Sequence, residues 1–282
     1  MRCGILLMAS LFAGLLACSP VTALAGTGTG ACAGAALPVA HAAPTPDVRR
    51  TVAAYKAAHD RLRAPVDHAV PRPAAATAHL TGRGRPGGRA AGPRACPATA
   101  TAGFDRVVLG SLAQQGQATS YYCGPALVAE AAATRGLQVD QATAAAWMGT
   151  DPGAGTGVDQ LTSALDHFVA APAGGSYAFV WLSYDPSGDE RGAFVSRLRW
   201  DLTTYGGWPV AGDAWEVPDG PHLIGHPNVE IFHWIEIGGL GDGDTATYYA
   251  DSATTVWSGV PDYSWIDTQA LATILGGRGY AW

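Results

Sequence analysis

"GQATSYYCGPALVAEAAATRG", residues 116–136, sets Cys123 at the mouth of an alanine-rich segment. Pro125 suits a first helical turn, where its missing N–H costs nothing, and Gly136 is placed to close the helix after Arg135. The stretch therefore predicts a helix over 123–135 that begins at the thiol. The unpaired N–H groups and the dipole at such an end favour a thiolate, the nucleophilic form of cysteine. Gln117, six residues earlier, carries an amide NH2 suited to an oxyanion forming beside the sulfur, together with the backbone N–H of Cys123. Gln114 and Gln115 carry the same group and remain open as alternatives. The plainer reading of Cys123 is a small buried hydrophobe.

A cysteine nucleophile needs a base and a group that orients it. Beyond Cys123 the histidines are His167, His222, His226 and His233. His167 falls off the apolar stripe of Leu161, Ala164, Leu165 and Phe168, which predicts a solvated ring. His222 and His226 in "GPHLIGHPN" have the spacing of a metal pair, yet Pro221, Gly225 and Pro227 argue for a loop, and the glutamate of a zinc-hydrolase helix is missing. No metal or organic cofactor is expected. His233 stands in "EIFHWIEIGGLGDGDTATYYADSAT", two alternating aromatic-rich runs around a glycine-rich turn, which predicts a β-hairpin. A turn centred on Asp242 places His233 opposite Asp251, where the carboxylate fixes the imidazole tautomer; a slip of one residue breaks that alignment.

The rest of the chain divides by composition. Arg2 followed by the apolar run "CGILLMASLFAGLLAC" (3–18), with small residues at 23–26, reads as a secretory signal over 1–25. The alternative is a lipobox at Leu15–Cys18, with Cys18 lipidated. No other segment approaches the roughly 20 apolar residues of a membrane span. Residues 26–104 are rich in Ala, Pro, Gly and Arg and read as a mostly disordered linker or pro-segment, with one short helix in "PDVRRTVAAYKAAHDRLRAPV" carrying Val52, Tyr55 and His59 on one face. Residues 105–282 have the size and apolar content of one domain.

Charge is split the same way. Of 17 Lys and Arg, 12 lie in residues 1–106, and of 23 Asp and Glu, 19 lie after them, so a formal +8 faces −14. The acidic domain excludes a nucleic-acid role, and the basic arm is either a solvated tether or a segment that docks on its own domain as an electrostatic restraint. Past the signal, Cys32, Cys96 and Cys123 make an odd count; the two in the irregular region form the natural bridge, leaving Cys123 free.

Gln117, then "YYCGPA", then "HWIEIGG", then "YADS" resemble papain-like cysteine peptidases, in particular the family that processes bacteriocins by trimming double-glycine leader peptides. The run "AAAWMGTDPGAGTGVDQLTSAL" is similar to that family's second helical unit, and the resemblance covers nearly all of 107–282. It implies an α+β, papain-like fold: helices at 123–135, 141–148 and 157–168 beside a largely antiparallel sheet with strands near 177–183, 208–212, 231–237, 246–251 and 278–282, further helices in "RGAFVSRLRWDLTTYGGWPV" and "DTQALATILGG", and a cleft between the two parts. It also implies Cys123 as nucleophile, His233 as base, Asp251 as orienting residue, Gln117 in the oxyanion hole, and a peptide or protein substrate. The chain carries no transmembrane or ATP-binding transport segment of the kind often fused to such peptidases, which points to a freestanding exported form. The rival readings are a cell-wall peptide amidase or transpeptidase with the same triad, and a non-catalytic envelope-binding protein on the same scaffold.

Overall fold

The structure, a computed structural model, describes residues 39, 41–60, 106–204 and 206–282. The signal, the lipobox and the Cys32–Cys96 bridge lie outside the described residues. Helix α1 spans Pro46–His59, capped by Thr45, whose hydroxyl accepts from Val48 N–H. A short strand β1 (Val107–Val108) leads into α2 (Cys123–Thr134), α3 (Gln141–Met148) and α4 (Val158–Leu165). Then come β2 (Phe179–Trp181), α5 (Gly188–Thr203), β3 (Val210–Glu216), β4 (Ile231–Gly241), β5 (Ala246–Ala250), β6 (Tyr263–Asp267), α6 (Thr268–Leu275) and β7 (Gly279–Ala281). The fold is α+β, and its strands join in an antiparallel sheet of order β2-β7-β3-β4-β5-β6, with β1 also on β4. Among the described residues, no helix is long and apolar enough to cross a membrane.

Local chemistry marks most boundaries. Asp140 caps α3 through Thr143 N–H, Ser187 and Glu190 form a reciprocal box at the start of α5, and Asp267 caps α6 through Gln269 and Ala270 N–H. Gly136, at φ +73°, ends α2 in the left-handed conformation that glycine adopts without strain. Strand residues alternate between two cores. Val210, Ile235 and Tyr280 join Phe194 and Leu198 of α5 and Leu271 and Leu275 of α6, whereas Ala211, Trp234 and Ala281 join Leu127 and Val128 of α2, Met148 of α3 and Leu161 of α4. The sheet is therefore covered on both faces. The helices expected beside it account for one face only, and α5 and α6 close the other.

Helix α1 belongs to this body, which places part of the stretch read as linker on the folded surface. Val52 packs with Trp215 and Val217. Lys56 is fully buried, and its Nζ donates to the carbonyls of Thr273, Ile274 and Gly276 at 2.8, 2.9 and 2.8 Å. Those oxygens lie at the C-terminal end of α6, where carbonyls run short of intrahelical donors and a cation also meets the favourable end of the helix dipole. The composition of 26–104 hides this because one buried lysine, and not an apolar stripe, makes most of the anchor.

The hairpin departs from its expected register. The turn runs through Asp242, Gly243 and Asp244, all at positive φ, and pairs Gly241 with Ala246. A bulge between Ile237 and Gly239 shifts the pairing again, so Glu236 lies opposite Ala250 and His233 pairs with Ala214 of β3. His233 and Asp251 are not cross-strand partners. They meet because Asp251, just past the end of β5, turns inward as the cap of a short 3-10 turn, its carboxylate accepting from Ala253 N–H at 2.8 Å.

Candidate active site

Cys123 opens α2 and is half-buried. The first helical bond of this end runs from Ala126 N–H to Tyr122 O at 2.8 Å, so the amides of Cys123 and Gly124 have no acceptor within the helix. Close packing holds this end in place. A Cβ on Gly124 would stand 2.5 Å from the Thr156 side chain, in the loop between α3 and α4, and Thr156 O accepts from Trp234 Nε1 at 3.0 Å. The helix carrying the thiol is thereby keyed to the strand carrying His233.

His233 is buried, with Nε2 at 2.9 Å from Asp251 Oδ1, and it lines the same cleft as Cys123. Burial alone would lower the proton affinity of the ring. The charge and hydrogen bond of Asp251, with those of Cys123, outweigh it and hold the histidine well above its ordinary value. Burial works the opposite way on Asp251, yet the charge of His233 and the hydrogen bonds from His226 and His233 keep its carboxyl well below the usual carboxylate range. His233 and Asp251, two of the residues singled out in the sequence, thus form a hydrogen-bonded pair, and Cys123 acts on the ionisation of the first.

Gln117 lies beside the segment that follows Asp251. Its N–H donates to Ser252 O at 2.8 Å, its carbonyl accepts from Thr255 Oγ1 at 2.7 Å, and its side-chain oxygen accepts from Ser252 Oγ at 3.3 Å. Gln117 Nε2 gives one hydrogen to Thr119 O at 2.8 Å, which leaves its second. Gln114 spends both amide hydrogens on Asp251 O and Thr254 Oγ1, which leaves none for an oxyanion.

Cys123 and His233 line a cleft of about 720 Å³. One wall is the glycine-rich loop from Asp151 to Gly157, braced by Asp151 Oδ1, which accepts from Gly153 and Ala154 N–H at 2.8 Å each. The other holds Asp213, Glu230, Phe232 and Arg278, and the end of α1 contributes His59 and Asp60. Burial raises the Asp213 carboxyl to about 7 against the opposing charges of Arg278, Lys56 and His233.

The remaining histidines separate. His167 is exposed and stacks on Trp147 with ring centroids 5.0 Å apart. His222 and His226 sit in a loop, as expected, but both bond to Glu216, and His226 also bonds to Asp251. Neither Glu216 nor the bond between His226 and Asp251 was foreseen; the one available signal was two histidines shortly after the strand that ends in Glu216. His226, His233 and Asp251 bring ligand-type atoms within 4.8 Å of one another. Each carboxylate oxygen of Asp251 is already hydrogen-bonded to one imidazole, at 2.9 and 3.0 Å, so these three residues satisfy each other without an ion.

No family model and no curated protein matches the chain. Among solved structures it is similar to the peptidase domain of Streptococcus ComA, a bifunctional ABC transporter involved in a quorum-sensing pathway. That match has 14% identity and a TM-score of 0.39, over 61% of this chain and 96% of that one. It is also similar to a C39-like peptidase from Bacillus anthracis, with 11% identity and a TM-score of 0.39, over 63% of this chain and 96% of that one.

Proposed function

We propose that the chain is an exported, freestanding cysteine peptidase that hydrolyses peptide bonds with Cys123 as nucleophile, His233 as base and acid, and Asp251 as the residue that orients His233. The observation that carries this reading is His233, buried in the cleft that Cys123 also lines and hydrogen-bonded through Nε2 to Asp251. A histidine held protonated beside a thiol at a helix start favours an imidazolium–thiolate pair. The thiolate adds to the peptide carbonyl carbon, and the electron pair moves to the oxygen. The N–H of Cys123 and the unspent hydrogen of Gln117 Nε2 are the donors for that oxyanion. His233 then gives its proton to the departing amine as the C–N bond breaks, leaving a thioester. Water, deprotonated by His233, releases the acid and restores the thiol.

An unprimed extended peptide suits a cleft with a glycine-rich wall on one side. With Asp60, Asp151, Asp213 and Glu230 against Arg278 and His59, the lining favours basic side chains. The test is a peptide library screened with the exported chain and its Cys123→Ala variant, alongside labelling by a thiol-directed epoxide. Wild-type cleavage, label on Cys123 and a loss of several orders of magnitude in the variant are expected. Cleavage that survives Cys123→Ala sinks the reading.

A further inference from the structure

Asp251 is shared by two imidazoles. His226 lies with Nε2 at 3.0 Å from Asp251 Oδ2 and Nδ1 at 2.6 Å from Glu216 Oε1. Glu216 Oε2 accepts from Leu223 N–H at 3.0 Å and lies 2.9 Å from His222 Nδ1. The side chains of His226 and Glu216 are fully buried, and that of Asp251 is 1% exposed. A neutral imidazole offers one N–H and one lone pair. Between two carboxylates, such a ring would press its lone pair against a carboxylate oxygen, away from solvent. An imidazolium donates to both and leaves fewer uncompensated buried charges.

We propose that His226 is a second working imidazole of this site: held as an imidazolium between Asp251 and Glu216, it weakens the grip of Asp251 on the proton of His233. The effect has a definite sign. The His226 ring centroid is 5.3 Å from that of His233, the two rings meeting edge to face and bonded to different oxygens of the one carboxylate. Its positive charge offsets part of the charge of Asp251, so His233 releases its proton at lower pH than it would facing Asp251 alone. A base that must also protonate a leaving amine gains from this, because a histidine that holds its proton too tightly gives it up slowly to the amine and cannot take one from water. His226 is a positioning residue here, acting through Asp251.

The groups around His226 are consistent with that state. Glu216 faces it from the end of β3, Asp251 from beyond β5, and His233 from β4, while Trp257 supplies an uncharged ring at 4.7 Å. One step further out stand His222, bonded to Glu216, the Tyr249 hydroxyl, which accepts from Ile224 N–H at 2.9 Å, and Glu130, a buried carboxyl on which the charges of Asp251 and His233 act. Burial by itself would lower the proton affinity of His226, but the hydrogen bonds and charges of Asp251 and Glu216 raise it above the ordinary value. The same contacts, led by the bonds from His222 and His226, overcome burial and lower that of Glu216.

Glu216→Gln tests the proposal with little change of shape. Its carbonyl can keep the bond from Leu223 N–H, and its NH2 can donate to Nδ1 of a neutral His226, whose Nε2–H still serves Asp251. Every bond is retained and the cation is lost. The readout is the pH profile of Cys123 alkylation by iodoacetamide, followed as the mass of the peptide carrying Cys123. No substrate is needed, so failure of the peptidase reading, on which the catalytic consequence rests, would show separately as absent hydrolysis. The alkaline step at which His233 loses its proton is expected to move up by about half a pH unit or more, a threefold or larger change in proton affinity. A folded variant with an unmoved profile overturns the proposal. If the variant does not fold, nitrogen-15 histidine NMR of the wild-type protein decides: His226 protonated on both nitrogens at about neutral pH is expected, and a single neutral tautomer overturns it.

Discussion

Gln117 shows how much a single side chain depends on its brackets. Its backbone is tied on both sides, to Ser252 and Thr255, and its amide is turned by Thr119 and Ser252. A residue so constrained presents its remaining N–H hydrogen in one direction. Gln117→Ala is expected to lower kcat by roughly 100- to 1,000-fold, the usual cost of one oxyanion donor, with Cys123 alkylation little changed. Equal loss of alkylation and hydrolysis would instead mean that the thiol itself had been disturbed. His233→Ala should match Cys123→Ala, since nucleophile and base act as a unit, and Asp251→Asn should fall between them and wild type. All three residues stand out in the sequence because their types are chemically uncommon together. His226 and Glu216 do not, since nothing in "GPHLIGHPN" says that a carboxylate from another strand waits beside it.

At the scale of elements, α2 and β4 carry Cys123 and His233, and a pair of acids lies buried between them. Glu130 of α2 and Glu236 of β4 are 1% and 0% exposed. Glu130 Oε1 accepts from Gln115 N–H at 2.8 Å, Glu236 Oε1 accepts from Thr134 Oγ1 at 2.9 Å, and Glu236 Oε2 has no partner among the described residues. Burial first, then mutual repulsion, raises the Glu236 carboxyl well above its ordinary value, and burial raises Glu130 to about 8. Both acids are therefore protonated in the fold while their unfolded counterparts ionise near 4.5. The folded state binds more protons across that window, so their contribution is full below about pH 4.5 and is lost as pH rises towards 8. Glu236→Gln keeps the acceptor for Thr134 and puts a donor where the unpaired oxygen stood. It is expected to stabilise the protein by about 1–3 kcal/mol at mildly alkaline pH and to flatten the pH dependence, read from urea melts across pH. An unchanged slope would assign the alkaline loss to other groups.

For the whole molecule, the question is what α1 does on the surface of the acidic domain. The charge split suggested a loose arm, screened by salt. The contact found is different: three carbonyls meet one buried Nζ, which needs all three hydrogens of an ammonium to satisfy them. Burial, aided by Arg278, pulls the proton affinity of Lys56 well below the ordinary lysine value, against Glu216 and Asp213. The three acceptors hold the proton in place, and such an anchor is screened far less by salt than exposed pairs are. Lys56→Met is expected to cost on the order of 3 kcal/mol of docking and to strip hydrogen-exchange protection from 46–59 at low and high salt alike, with β3 to β5 still protected. Because His59 and Asp60 line the cleft, the same variant should raise KM more than it lowers kcat. Loss of protection throughout would make α1 part of the cooperative core.

The sequence alone determined the local features: the helix that starts at Cys123, the alternating runs of β4 and β5, and the candidate set of Cys123, His233, Asp251 and Gln117. Each follows from residues close in the chain, where propensity, periodicity and capping act within a turn or a strand. Only the tertiary structure decided the rest. The hairpin register depended on how many residues the turn and the bulge absorb, so Asp251 reaches His233 from beyond its strand. The strand β6, the face covered by α5 and α6, the docking of α1 through Lys56, and the line from His233 through Asp251 and His226 to Glu216 all join residues far apart in sequence. Those contacts exist because buried polar groups must find partners wherever the packed chain puts them, and no local pattern records which partner that will be.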